Sequence, residues 1–311
     1  GAIKGRDAIY VWTDTALFLM RFVGAPFTFS FEQVGTNCGL FGKNACVEVD
    51  GSSYWMSENG FFTYDGQLKS MPCLVEDYVY DSINDTSRDL INCGLNNLFG
   101  EINWFYCSEG SNLVDRVVTY NYLDSSAKQP IWTTGSLDRT AWQDSSVFNR
   151  PHATYYTSTD NDSFDVTGNT DGITIYYNQE TGTDQVNAGG VVTAIQANIL
   201  SGDFDITQKR SNTGQAVGTP DLRGDGEYIM RISRFIPDFI NQTGTTQVSF
   251  TTRAYPNSTP ITTNFPIDST TTFKSTRIRA RSIALKVSNT GSNQDWKLGT
   301  FRLDVAPGGM R

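Results

Sequence analysis

The stretch Cys46-Val47-Glu48-Val49-Asp50-Gly51-Ser52-Ser53-Tyr54-Trp55-Met56-Ser57-Glu58-Asn59-Gly60-Phe61-Phe62-Thr63-Tyr64-Asp65-Gly66 decides the fold. Val47 and Val49 precede Asp50-Gly51, and Tyr54, Trp55 and Met56 precede Asn59-Gly60. Phe61, Phe62 and Tyr64 precede Asp65-Gly66. Asp-Gly and Asn-Gly supply the positive φ angles that type I′ hairpin turns require. Three β-rich runs, each followed by such a turn, define an antiparallel meander.

Related units flank it. Ala8–Trp12 and Thr15–Phe22 are apolar, β-rich runs that read as a hairpin across Thr13-Asp14. Downstream, Glu101–Cys107 is an aromatic strand, Ser108–Asn112 a turn and Arg116–Tyr122 a further strand. The polar loop Asp124–Gln129 then leads to Ile131–Gly135 and Thr140–Trp142, an order that resembles a kelch-type propeller blade. Ala153–Tyr156 with Ile173–Tyr177 reads as a fourth, partial unit. One helix interrupts the series: Val75, Tyr78, Val79 and Ile83 carry helical spacing behind Pro72, with Glu76 and Asp77 favoured by the dipole in its first turn. A second short turn is expected over Ser87–Ile91.

Past residues 180–190 the pattern changes. Candidate strands are Val191–Leu200, Tyr228–Ile236, Gln247–Tyr255, Phe273–Val287 and Trp296–Val305, joined by long Thr-rich links that suit a sandwich better than blades. The expected architecture is all-β. It comprises a partial β-propeller of kelch-like meander blades with one inserted helix over residues 1–185, then a β-sandwich-like domain over 186–311. A propeller closes by joining its first and last blades, so three or four blades imply a piece of a longer protein.

Composition bounds the function. The 311 residues are 13% aromatic and 18% charged, a mixture that excludes intrinsic disorder. There is no apolar run long enough to cross a bilayer as a helix. A net charge of −9 makes the whole chain a poor wrapper of nucleic acid. The charge is uneven: residues 1–194 hold 10 Lys and Arg against 24 Asp and Glu, whereas residues 195–311 hold 14 against 9. Such asymmetry fits two modules with different neighbours. Cys38, Cys46, Cys73, Cys93 and Cys107 have neither the number nor the spacing of a disulfide framework or zinc site, and read as reduced thiols.

Catalytic constellations are sparse. His152, the single histidine, follows Pro151 in an expected surface loop, with no Gly-x-Ser-x-Gly elbow elsewhere. Asp160, Asp162, Asp165 and Asp171 suggest a calcium loop, but Asp165 stands where an EF-hand needs Gly and Asp171 where it needs Glu. Glu58, Asp65, Glu76 and Glu101 could serve glycoside hydrolysis only if two of them faced one another. No catalytic, cofactor-binding or metal-ligating residue is therefore assigned. Arg277, Arg279 and Arg281 alternate with Ile278 and Ala280, which on a strand places three guanidinium groups on one side. They are the candidate docking face for an acidic neighbour, including the acidic module of another copy.

Several segments carry a family resemblance. They are Lys4–Asp7, Tyr10–Asp14, Gly35–Gly39, Tyr54–Met56, Asn59–Phe62 and, near the end, Arg277–Arg281, Ala284–Val287 and Gly299–Leu303. Together they resemble the tail hub or nozzle proteins of short-tailed bacteriophages, also called packaged-DNA stabilisation proteins. Residues 145–225 match least. The resemblance implies a virion tail subunit, assembled in the host cytoplasm, that forms a six-fold ring below portal and adaptor. Such a ring meets tail fibres or needle, extends the DNA channel, retains packaged DNA and conducts it at ejection. The family has no catalytic residues or cofactor to carry over. An acidic channel wall would let DNA slide where a basic one would hold it. The alternative is a tail propeller that binds or cleaves glycans, with Trp104, Trp132 and Trp142 as candidate stacking residues, although inter-blade core is the better reading of all three.

Overall fold

Four antiparallel meanders follow one another in the first 180 residues. The structure, a computed structural model, describes residues 1–126, 129–144, 151–157, 173–177, 184–186, 191–206, 228–255, 257–289 and 291–309. The chain divides into two compact units, Gly1–Thr181 and Gly182–Arg311.

In the first unit, sheet one holds β1 (Ala2–Lys4), β2 (Ile9–Trp12), β3 (Ala16–Phe22) and β4 (Phe29–Thr36) in that order. Sheet two holds β5 (Cys46–Val49), β6 (Ser52–Ser57), β7 (Gly60–Tyr64) and β8 (Leu68–Met71). Sheet three holds β9 (Asn92–Asn96), β10 (Glu101–Tyr106), β11 (Arg116–Asn121) and β12 (Trp132–Gly135). Sheet four holds β13 (Ala141–Gln143), β14 (His152–Thr157) and β15 (Ile173–Tyr177). The first strands β1, β5, β9 and β13 are neighbours in succession. Consecutive meanders stacked through their first strands are the arrangement of a partial β-propeller.

The turns that decide the fold do so in two ways. Asp50 and Gly51 both have positive φ, 51° and 84°, as a type I′ turn demands. At the next two turns only the glycines do, Gly60 at 108° and Gly66 at 110°. The expectation of type I′ geometry there is corrected. Ser57 pairs with Gly60 across Glu58-Asn59, so Gly60 itself opens the strand, while a three-residue loop joins Tyr64 to Leu68. The inserted helix is shorter than its spacing implies. It covers Glu76–Tyr80, buries Val79 and is followed by a 3-10 segment, Asp85–Leu90, whose N-cap Asn84 accepts from the Thr86 amide.

Tryptophans join successive sheets. Trp55 on β6 donates its indole N–H to the Cys38 carbonyl just past sheet one, at 2.8 Å. Trp104 on β10 donates to Ala45 beside β5 at 3.0 Å, and Trp132 on β12 donates to Pro72 just past β8 at 2.9 Å. Trp142 on β13 donates to Leu95 on β9 at 2.8 Å. Each bond runs from a later sheet to main chain of the sheet or link before it. The rings supply the apolar cement: Phe61 lies 5.0 Å from Trp104 and 4.7 Å from Trp132, and Phe105 stacks on Trp142 at 5.7 Å. A buried indole without an acceptor costs free energy, so these carbonyls fix the spacing of the sheets as well as satisfying the donors.

The second unit is built differently. A small pair, β16 (Asp184–Val186) and β17 (Val192–Ala194), precedes two layers. One contains β18 (Asn198–Leu200), β21 (Thr246–Arg253), β22 (Ile261–Ile267) and β24 (Ser282–Asn289), in the order β18-β24-β21-β22. The other contains β19 (Met230–Ile236), β23 (Lys274–Ala280) and β26 (Arg302–Pro307), in the order β23-β19-β26. A separate antiparallel pair, β20 (Phe239–Thr243) with β25 (Asp295–Leu298), completes it. Phe235 from one layer meets Phe250 and Phe265 from the other at 5.4 and 5.3 Å. This core makes the unit sandwich-like. The strand expected over Phe273–Val287 is two strands in two sheets. The chain bends at Arg281, whose amide bonds the Arg253 carbonyl, and such bends are how a strand changes layer. Val191–Leu200 and Trp296–Val305 are likewise each divided in two.

Candidate functional site

The arginine strand is an edge. β23 pairs only with β19 in its sheet, and its residues alternate between exposed and buried, with Thr276, Ile278 and Ala280 turned inward. Arg277 and Arg279 therefore project outward from consecutive pleats. Arg281 does not join them. The bend into β24 carries its guanidinium over the Tyr255 ring at 5.7 Å, so the expected triplet on one face is reduced to two.

A third arginine restores the cluster. Arg231 on β19 lies directly opposite Arg279 in the strand register and is also exposed. Directly opposed like charges destabilise a sheet pair, and an arginine stays cationic at any physiological pH. Farther along β19, Arg234 has its own partner, Asp304 at 2.6 Å, and sits over Phe273 at 5.7 Å. Among the described residues no carboxylate pairs with Arg231, Arg277 or Arg279, and Arg279 reaches only the Gly308 carbonyl at 3.5 Å. What this arrangement can do is bind anions: three guanidinium groups face one way with no carboxylate paired to them among the described residues. The sequence shows Arg231 inside a strand, but only the register, 48 positions away, shows what it faces.

The other candidates are placed elsewhere. Trp104 and Trp132 are buried between sheets and Trp142 is half-buried against Phe105, which is the inter-blade core placement and leaves none of them as an exposed stacking residue. The four carboxylates divide between the two ends of the first unit, because successive hairpins turn at alternate ends. Asp65 and Glu101 lie at one end; Asp65 is ion-paired to Lys69 at 2.7 Å, and burial pushes the Glu101 carboxyl up. Glu58 and Glu76 lie at the other. There Glu58 is held by Arg88 at 2.9 Å and Glu76 lies against Gly60. His152 is 6% exposed at the start of β14, not on a surface loop, because its strand is covered on entry. The aspartate loop Asp160–Asp171 lies outside the described residues. All five cysteines are free, and burial raises the Cys46 and Cys73 thiols to about 11.

No family model matches the chain, and no curated protein matches it. Two solved structures are similar over most of its length. One is an exo-β-1,3-galactanase from Phanerochaete chrysosporium, 9% identical, with a TM-score of 0.28 over 95% of this chain and 78% of that one. The other is described as a glycoside hydrolase, 10% identical, with a TM-score of 0.27 over 96% of this chain and 83% of that one. Superpositions that loose carry no argument about activity.

Proposed function

We propose that the chain is a structural subunit of a phage tail nozzle or hub. It acts by assembling with copies of itself into a ring that continues the portal and adaptor channel, holds packaged DNA and conducts it outward. The arginine face carries this reading. Arg231, Arg277 and Arg279 form a cationic surface to which no carboxylate among the described residues is paired, while residues 1–194 carry 24 acidic against 10 basic side chains. In a head-to-tail ring the cationic face of one subunit meets an acidic surface of the next, which relieves the opposed arginines and sets the register of assembly. The meander motifs that resemble nozzle proteins support the same role.

Light scattering and electron microscopy of the protein, alone and in virions, test it. Wild type should form closed rings on the tail axis. Replacing Arg231, Arg277 and Arg279 together by Glu should weaken ring formation by about tenfold or more, and raised salt should imitate the effect. Rings that form equally well in the charge-reversed variant would sink the arginine assignment. A stable wild-type monomer at the tail periphery would sink the nozzle reading itself.

A further inference from the structure

Sheet one is largely apolar on both faces; on the outer one the polar exceptions, Lys4 opposite Ile9 and Gln33 opposite Phe18, stand on the two edge strands. On the covered face Tyr10 pairs with Leu19 and Trp12 with Leu17, all buried against sheet two, with Tyr10 and Trp12 near Tyr64 and Trp55. On the opposite face the register aligns Ile9 with Met20 and Val11 with Phe18. The same face continues across β4, where Met20 opposes Phe31 and Phe22 opposes Phe29. Phe22, Phe29 and Phe31 are 73%, 48% and 62% exposed, and the Phe22 and Phe29 rings meet edge to face at 5.9 Å.

The tip of this hairpin makes the asymmetry plain. Both of its faces are in solvent. One carries Arg21, Ser30 and Glu32, with Arg21 and Glu32 ion-paired at 2.6 Å; the other carries the three phenylalanines. A strand that met water on both faces would have no reason to sort its residues this way. The three rings alone leave on the order of 350 Å² in water, at ~200 Å² per ring. Ile9 and the partly covered Val11, Phe18 and Met20 bring the face to roughly 600 Å². That is at the upper limit for a patch on a monomer and near the ~800 Å² per partner of a stable interface.

We propose that this face packs against the same face of a second copy, sheet on sheet. The surface is flat and extended, and its like within the chain are covered by sheets: the Trp55 face of sheet two by sheet one, and the Trp104 face of sheet three by sheet two. A two-fold contact sets the projecting phenylalanines of one copy over the shallower Ile9–Val11–Phe18 half of the other, so each end is complementary to its counterpart. The contact is independent of the arginine face and of the nozzle reading, and it responds to salt in the opposite sense.

Sedimentation velocity on the full chain in high salt tests the contact, because salt suppresses association through arginines while leaving apolar association intact. Wild type should remain associated. Replacing Phe22, Phe29 and Phe31 together by Ser should raise the dissociation constant by about tenfold or more, with the melting temperature of the separated chain unchanged. The Arg21→Ala, Glu32→Ala variant on the opposite face of the hairpin should associate as wild type does. A serine variant that associates like wild type, or a wild type that stays monomeric in high salt at its solubility limit, overturns the proposal. So does a monomer that instead floats with phosphatidylcholine vesicles, since the face would then be a lipid contact.

Discussion

The first unit joins its sheets with four tryptophans that each carry a hydrogen bond across the junction, beside a fifth, Trp12, whose indole makes none; the second joins its layers with phenylalanines, which have no donor to offer. The indoles of Trp55, Trp104, Trp132 and Trp142 each close on a main-chain carbonyl of the preceding sheet or link. Phe235, Phe250, Phe265 and Phe301 meet one another through ring contacts, with Phe235 stacked on Phe301 at 5.4 Å. A ring contact tolerates rotation and small slides. A donor aimed at one carbonyl does not. Sheets that must keep a constant angle to their neighbours therefore benefit from the second device, while a sandwich of two layers can rely on packing.

The contrast can be broken in a fixed order of effect. Trp104→Ala removes a fully buried ring and its bond, and should cost about 3–5 kcal/mol in denaturant unfolding of the first unit. Trp104→Phe keeps most of the ring but removes the indole donor, while the Ala45 carbonyl still accepts from the Met56 amide, so lost ring volume and one lost bond should together cost about 1–3 kcal/mol. Phe235→Leu, with no polar partner to orphan, should cost about 1–2 kcal/mol by loss of volume alone. If Trp104→Phe costs no more than Phe235→Leu, the hydrogen bond adds nothing and the contrast fails. Gly94→Ala tests the last junction. A Cβ there would stand 2.4 Å from the Trp142 ring, so the indole must leave Leu95, at about 1–3 kcal/mol.

The smallest effect is a divergence with pH. In the second unit burial pushes the Asp203 carboxyl up, but hydrogen bonds from Ser282 and Arg253 prevail and hold it below the usual range. Its contribution is present above the unfolded value of about 3.9 and is lost as pH falls through the folded one. Glu101 in the first unit has the opposite sign. Burial raises it, so stability is greatest below about pH 4.3 and declines as pH rises through the folded value. Acidification below pH ~4 should therefore weaken the second unit, while in the first it relieves Glu101 but releases the exposed Asp65–Lys69 pair, whose hydrogen bond holds the Asp65 carboxyl below the usual range. Asp203→Asn should flatten the second unit's profile, by under about 1 kcal/mol because the Arg253 pair is partly exposed. Melting each unit across pH 3–7 measures both slopes.

Much of this architecture was legible in the chain. The meander from Cys46 to Gly66 is visible because turn chemistry and aromatic runs coincide there. Strands without that coincidence escape. β9, Asn-Cys-Gly-Leu-Asn, lies between the first strands of two other sheets and uses its Asn92 amide on the Arg139 carbonyl, so it has no need of an apolar stripe. β22 is a mostly exposed edge strand with Pro266 near its end, and reads as a Thr-rich link. At the candidate site the alternation of Arg277 and Arg279 could be read directly. The loss of Arg281 to the bend and the gain of Arg231 could not, since both depend on pairing between distant segments.

The one-way direction of the indole bonds has a consequence for synthesis on the ribosome. Trp55, Trp104, Trp132 and Trp142 each reach back to a carbonyl that precedes them by 17, 59, 60 and 47 residues. Every acceptor of these four bonds has been translated before its donor emerges, although Asn92 of sheet three also waits for the Arg139 carbonyl. The first unit can thus accrete sheet by sheet as the nascent chain lengthens, each new indole testing the placement of the sheet just finished.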